Sequence, residues 1–525
     1  MSKILSVLLL LLLSAGLQAG EITVRAGESL HDALRQAREW RRTNDPRCEG
    51  GITITIESGR YYMAEPLFIR PEDSGTEVSP LVIRGEVGTV ICGDPRQQHT
   101  QVWPKEGMEQ ILDFDVVHRT ISLPLIPSEG SGDSKVPAPL LLEGDGGRLP
   151  LGSSGEALEM VVHQRWAIAI LRVKDMQMRG DSAIVTFMEP ESRIEFEHPW
   201  PQPVINLSPS KGKGNSSFLL RTTEQRDGIE QLVIVDGADY VTFEGLTFEN
   251  TCWNRPLHKG HVTLQGGFPL VDAYKLKEHE GLPWDEGLEN QAWIERPVSA
   301  VTVRNARHVD FLRCCFQHLG ATALDYESIN SGTVDRCTFE DIGGTAILAG
   351  SFAESPREVH RPYTDLAGQC RNLTISRNAI TRASQEDWGT VGIGCGYVRD
   401  CRIVGNIVSH VNYSGICVGW GWTPHDTGMT NNRIEQNQIF DYARQLYDAG
   451  GIYTLSNQPG SRITDNDISA PAVAPYATND RAFRIYLDAR TDGFSIRGNV
   501  TDGRPIRRNE IGDNHPGPDL RFVNE

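Results

Sequence analysis

The amino-acid sequence predicts an all-β fold, a parallel β-helix of stacked coils, on three observations. From about residue 240 a hexapeptide recurs: an apolar residue, two variable residues, Asn or Cys, one variable residue, and an apolar residue. It reads FEGLTF from Phe243, with Leu246 in the Asn position, then FLRCCF from Phe311, VDRCTF from Val334 and ISRNAI from Ile375. It continues as IVGNIV from Ile403, IEQNQI from Ile434, ITDNDI from Ile463 and IRGNV from Ile496. Its asparagines, Asn378, Asn406, Asn437, Asn466 and Asn499, lie 28, 31, 29 and 33 residues apart, as in a solenoid that keeps its strands and varies its turns. A second strand follows each hexapeptide, in GTAILAG, TVGIGCG, SGICVGWGW, GGIYTL and RIYLD. Aligning Ile347, Ile393, Ile416, Ile452 and Ile485 stacks these segments as one further sheet.

Other repeat architectures fit less well. A leucine-rich repeat needs LxxLxL with helical spacers, and these spacers have no helical period. A propeller blade needs four strands per repeat. In a β-helix like residues stack in columns, so the alternating Ile, Val and Phe fill the interior. An inward Asn at a bend satisfies backbone groups and bonds the Asn above it. These asparagines are therefore read as structural.

The ends follow the same logic. MSKILSVLLLLLLSAGLQAGE has an early Lys, a short apolar run and small residues before Gly20, the pattern of a secretory signal. The run is too short for a membrane anchor, no later segment is apolar enough, and no Cys stands at the expected cut. A secreted or periplasmic protein without a membrane anchor is expected. In SLHDALRQAREW, Ser29 and Asp32 have capping-box spacing and Leu30, Ala33, Leu34 and Ala37 form one apolar face. That helix is expected to cover the open end of the first coil. The expected divisions are 1–19 signal peptide, 20–99 cap and first coils, 100–225 an inserted β-rich segment, and 226–525 the main β-helix with the catalytic cleft.

A formal net charge of −18 argues against a nucleic-acid partner, which needs a Lys/Arg surplus. It also disfavours a strongly anionic polymer, unless a local basic groove overrides the total. Export permits disulfides among the ten cysteines, but Cys314 and Cys337 occupy the repeat's Asn position. Mostly buried thiols are expected, with Cys395 and Cys401 the one candidate pair.

The second strand column carries the unusual residues. Asp448 in YDAGGIYTL and Asp488 in RIYLDA are 40 residues, about one coil, apart. Glycoside cleavage uses such a pair, one carboxylic acid protonating the leaving oxygen and one carboxylate attacking or activating water. Ending a strand or capping a turn is the commoner role of Asp. The alignment also sets a difficulty: Asp448 precedes Ile452 by four residues and Asp488 follows Ile485 by three. Straight strands in register would hold the two ~20 Å apart. A bend at Gly450–Gly451, a different register or a different pair would resolve it.

Nearby, Trp420 and Trp422 flank Gly421, so on a strand both would point to the same face, and are expected to face outward as a stacking platform for sugar rings. Packing inside the core is the other reading. His410, Tyr413, His425, Tyr453 and Gln458 are candidate hydrogen-bonding partners for sugar hydroxyls, and the two histidines serve a structural role equally well. No spacing matches a zinc or calcium site, and no metal or cofactor is expected.

YSGICVGWGW, DAGGIYTLSNQPGS and IYLD resemble the right-handed parallel β-helix enzymes of glycoside hydrolase family 141, which includes an α-L-fucosidase acting on pectic side chains and a xylanase. ESGRYYMAEPLFIRPEDSGTE, VIVDGADYVTFEGLTFENT and HLGATALDYE extend the resemblance over most of the mature chain. It implies an exported glycoside hydrolase, α-L-fucosidase-like or xylanase-like, with Asp448 and Asp488 as the catalytic acids and the Trp pair in the corresponding GWGW segment. Two departures, Ala489–Arg490 where relatives continue with a further acidic residue and a shortened stretch before VIVDGADY, bear on substrate identity.

A carbohydrate substrate and a monomer are expected. Two rivals remain at this stage. A polysaccharide lyase or epimerase on the same fold would need a basic residue, and no Lys follows Lys277, which leaves only Arg. A non-catalytic glycan-binding β-helix would keep the aromatic platform without the chemistry.

Overall fold

A computed structural model describes residues 19–93, 168–197, 228–255, 296–354, 366–421, 426–469 and 482–502, with shorter stretches between and after them. The fold is a right-handed parallel β-helix. Three parallel sheets of 13, 10 and 10 strands run along it, and a coil contributes to the first, second and third in turn. One coil gives Arg433–Glu435, Gln438–Phe440 and Ala449–Thr454; the next gives Asn457–Thr464, Asp467–Ile468 and Ala482–Leu487.

The hexapeptide spans the corner between the first two sheets. Its leading apolar residues are register partners along the first sheet, Phe243 to Phe311, Val334, Ile375, Ile403, Ile434, Ile463 and Ile496. Its trailing residues pair likewise along the second, from Phe248 through Phe316, Phe339, Ile380, Val408 and Ile439 to Ile468. Where the column is aromatic the rings stack, Phe243 on Phe311 at 4.8 Å and Phe316 on Phe339 at 4.6 Å between centroids.

At the corner the chain must turn while its polar groups stay buried. The residue before the Asn or Cys position is left-handed in successive coils: Arg313, Arg336, Arg377, Gly405, Gln436, Asp465 and Gly498 have φ of 53 to 66°. An L-residue there is strained by ~1–2 kcal/mol, so the corner needs compensating bonds. The asparagines supply them. Asn378, Asn406, Asn437 and Asn466 each donate, through backbone N–H and Nδ2, to the Oδ1 of the Asn one coil on, at 2.8 to 3.0 Å. Each Nδ2 also donates to a main-chain carbonyl of the preceding coil; that of Asn437 reaches Ile403 O at 2.9 Å. The ladder continues as thiols where Cys replaces Asn: Cys337 N–H donates to Asn378 Oδ1 and Cys314 N–H to the Cys337 Sγ.

Helix α1 (Leu30–Arg42) covers the first coil, burying Leu30, Ala33, Leu34, Ala37 and Trp40. Ser29 accepts from Asp32 N–H, but the Asp32 carboxylate turns to Arg35, so only half of the expected capping box forms. Another departure from the coils begins after Thr89–Cys92 of the second sheet, and the chain rejoins the third sheet at Val233–Asp236. An antiparallel sheet lies between, with Glu156–His163 paired to Ile168–Arg179 and to Phe218–Glu224. It also takes in His261–Val262, beyond the 100–225 interval read from composition. Arg255 of the β-helix reaches into it and donates to both Glu159 oxygens, a pair buried on both sides.

All ten cysteines lie among the described residues and no disulfide joins them. Cys395 and Cys401 are not a bridge: both are buried thiols, pushed up from the ordinary thiol range by burial. Two neighbouring substitutions separate the corner's strain from its bonding. Asn437→Ala strands the Asn406 N–H and the Ile403 carbonyl and is expected to cost ~3 kcal/mol. Gln436→Gly relieves a left-handed L-residue and is expected to be neutral or stabilising by up to ~1 kcal/mol. Paired thermal melts should move down for the first and stay or rise for the second.

Candidate active site

The expected alignment of the third sheet is found: Ile347, Ile393, Ile416, Ile452 and Ile485 are register partners pointing inward. Alternation then fixes an outward column one residue on: Asp325, Leu348, Gly394, Cys417, Tyr453 and Tyr486. An outward column normally meets water, as Arg402, Arg433 and Arg462 do on the first sheet. On the third sheet these six are all buried, and only toward the ends of the column, at Phe68 and Arg507, does it become exposed. A covered outer face with ionisable groups marks this side as the candidate site.

The two acids lie here. Asp488 is two residues beyond Tyr486 and shares its face; only 4 % of its surface is exposed. Its Oδ2 accepts a short hydrogen bond from the Tyr453 hydroxyl, one coil back. Asp448 immediately precedes strand Ala449–Thr454 and is half-buried. Its Oδ1 accepts from the Tyr486 hydroxyl at 3.4 Å, and its main-chain carbonyl accepts from the Tyr413 hydroxyl at 2.8 Å. Tyr453 and Tyr486 meet edge to face, 5.1 Å between centroids.

The register that implied a wide separation is correct, with Ala449 opposite Ala482, Gly450 opposite Phe483 and Ile452 opposite Ile485. The chain bends at the glycine pair, since a Cβ on Gly450 would lie 2.5 Å from the Ile452 carbonyl oxygen. A second turn lies just before them. Asp448 is left-handed, φ 62°, so its side chain leaves the line of the strand, and the tyrosine rings bridge the rest. Gly451 also serves close approach: a Cβ there would lie 2.4 Å from Ile468 Cγ2.

The acids are electrostatic neighbours of one tyrosine cluster. Burial, and then both carboxylates, hold the Tyr413 and Tyr486 phenols above the ordinary range. Burial and then Asp488 do the same to Tyr453. The phenols therefore stay protonated and act as donors. Further along the outward column, Arg296 donates to both oxygens of Asp325 at 2.6 and 2.5 Å and to Gly350 O at 2.6 Å. Burial opposes the Arg296 charge but Asp325 outweighs it, so the guanidinium is held above its ordinary value.

The other sequence candidates divide. Tyr413 and Tyr453 belong to the cluster. Trp420 is not an open platform: it is fully buried, edge to face with Phe352 at 5.7 Å. Strand alternation does not reach it, because the strand ends at Val418 and Gly419 turns at φ 111°, where a Cβ would meet Leu455 O at 2.2 Å. Trp422 and His425 lie outside the described residues. Gln458 is not presented to a ligand. It is buried, donates to Val418 O and Leu455 O and accepts from Asn432. His410 ends a second-sheet strand, within 3.3 Å of Asp441, against Phe440 and 3.4 Å from Thr381. Those contacts belong to the second sheet's edge and not to the cluster. Sequence reasoning passed over Tyr486 and the Arg296–Asp325 pair. The signal for Tyr486 was present, since GGIYTL and RIYLD place Ile-Tyr in the same register.

Comparison with known proteins bears on this arrangement. Residues 96–226 match the GH141 insertion domain. A solved structure described as a glycoside hydrolase superposes with a TM-score of 0.79 at 32 % identity, over 94 % of this chain and 95 % of that one. The chain belongs to the GH141-like glycoside hydrolase family. The GH136 lacto-N-biosidase from Eubacterium ramulus lies much further away, with a TM-score of 0.34 and 9 % identity over 92 % of this chain and 67 % of that one. So does the polygalacturonase from Erwinia carotovora ssp. carotovora, with 0.29 and 8 % over 91 % and 96 %. No curated protein sequence matches the chain.

In this GH141-like protein Trp420 is a packing residue, so Trp420→Ala should lower stability by ~3–5 kcal/mol. A melt of the free protein checks it: an unchanged midpoint would return Trp420 to the role of an exposed platform.

Proposed function

We propose that this protein hydrolyses an O-glycosidic bond in a plant or host-type polysaccharide or oligosaccharide, with Asp448 and Asp488 as its acid and its base or nucleophile. The observation that supports this most is the turning of both acids, from adjacent third-sheet strands, toward one tyrosine cluster. Hydrolysis through an oxocarbenium-like transition state needs one carboxylic acid to protonate the leaving oxygen. The other carboxylate stabilises the developing positive charge, attacking the anomeric carbon or directing water to it. A covered, low-dielectric face strengthens both effects relative to open solvent.

Family membership supports the reaction class. The α-L-fucosidase-like or xylanase-like choice rests on the resemblance of the GWGW, DAGGIYTL and IYLD segments. Export is part of the proposal and rests on the amino-terminal pattern, most of which lies outside the described residues. Among the described residues no helix is long and apolar enough to cross a membrane.

The purified chain, assayed on 4-nitrophenyl α-L-fucopyranoside and on xylan, is expected to release product from one of them. Asp448→Asn and Asp488→Asn should each lower kcat/KM by ~10²–10⁴-fold with circular dichroism unchanged. Full activity in both variants would sink the assignment.

A further inference from the structure

We infer that Tyr453 and Tyr486 form a crossed brace that fixes the two carboxylates relative to each other, with Tyr453 positioning Asp488 and Tyr486 positioning Asp448. The inference rests on the reading of those acids given under Proposed function.

The bonds cross between strands. Asp448 precedes the strand that carries Tyr453, and Asp488 follows the strand that carries Tyr486. Yet the Tyr453 hydroxyl donates to Asp488 and the Tyr486 hydroxyl to Asp448, so each tyrosine serves the acid of the other coil. Sliding or splaying the two strands would disturb both bonds together. Local bonds within each strand would leave the acids free to move apart with their coils.

The rings are themselves fixed. They are in-register neighbours, 5.1 Å apart at an interplanar angle of 83°. Phe483 packs against Tyr486 at 4.9 Å between centroids and carries Arg507 5.6 Å from its own ring centre. The Tyr413 hydroxyl secures the Asp448 main chain where the backbone is left-handed. The charged or titratable groups acting on the pair are thus Asp448, Asp488, Tyr413 and Arg507. Burial and the acids keep both phenols protonated, so neither hydroxyl exchanges its donor role for an acceptor role.

Simple core packing is the competing account, and Tyr→Phe separates the two because it removes one oxygen and keeps the ring. Tyr453→Phe and Tyr486→Phe are expected to lower kcat by ~10²-fold, the scale of a small misplacement of a reacting group, with KM nearly unchanged. Losing a donor disfavours an ionised carboxylate, so the acid limb of the kcat/KM profile should move to higher pH. In the double variant the losses should not add, because the two bonds depend on one another. Should a Phe variant fail to fold, 3,5-difluorotyrosine at position 486 keeps the shape and strengthens the donor; the same limb should then move to lower pH.

Wild-type kcat and pH profile in the folded Phe variants, or in the fluorinated protein, would overturn the brace while Asp448→Asn and Asp488→Asn remain inactive. Activity surviving in the Asn variants, or no turnover of either glycoside by the wild type, would instead remove the functional reading and the brace with it.

Discussion

Everything in this molecule depends on keeping successive coils in register, and the buried asparagine ladder at the first corner is where that register is held. A parallel strand pair alone does not resist slippage; its hydrogen bonds are evenly spaced and repeat every two residues. The ladder removes that freedom. Each Asn Oδ1 accepts from the backbone and side chain of its neighbour, so a shift by one coil position would strand several buried polar groups at once. The same bonds hold a left-handed residue at each corner, including arginine, glutamine and aspartate, which do not favour that conformation alone.

Register has a consequence on the opposite side of the coil. Because Ile452 faces Ile485, Tyr453 must face Tyr486, and the side chains that follow at every second residue share one outer surface. Two tyrosines stacked that way bring their hydroxyls to acids at opposite strand ends. The left-handed turn at Asp448 completes the approach. The site is therefore made by ordinary β-helix geometry with a local exception at one end of one strand.

The covering of that outer face distinguishes it from the others. Insertions leave the coils on both sides of the third sheet: the long antiparallel one between the second and third sheets, and a shorter one, after Ile347–Ala349, between the third and first. The long insertion is fastened to the β-helix by a buried Arg255–Glu159 pair. Such a pair contributes little net stability but is specific in geometry, which suits a part that must sit in one place.

Much of this was legible in the sequence. The hexapeptide identified the ladder and the first two sheets, the Ile column aligned the third, and Ser29 with the apolar face of α1 located the cap. Period-2 alternation carried those inferences, and it failed where strands stop. Trp420 follows a glycine turn and not a strand position, so counting outward from Ile416 placed it on an open surface when it is packed against Phe352. Gln458 reads as a polar ligand contact, yet its amide is consumed by two carbonyls and an asparagine from other segments. The meeting of Asp448 and Asp488 with one tyrosine cluster depends on the local backbone at the start of one strand and on which hydroxyl reaches which acid. Sequence by itself determined the periodic part, because stacking repeats the same physical demand in every coil. Tertiary structure alone decided that both acids meet one tyrosine cluster, because this arises from side chains crossing between coils and a backbone turn that no period encodes.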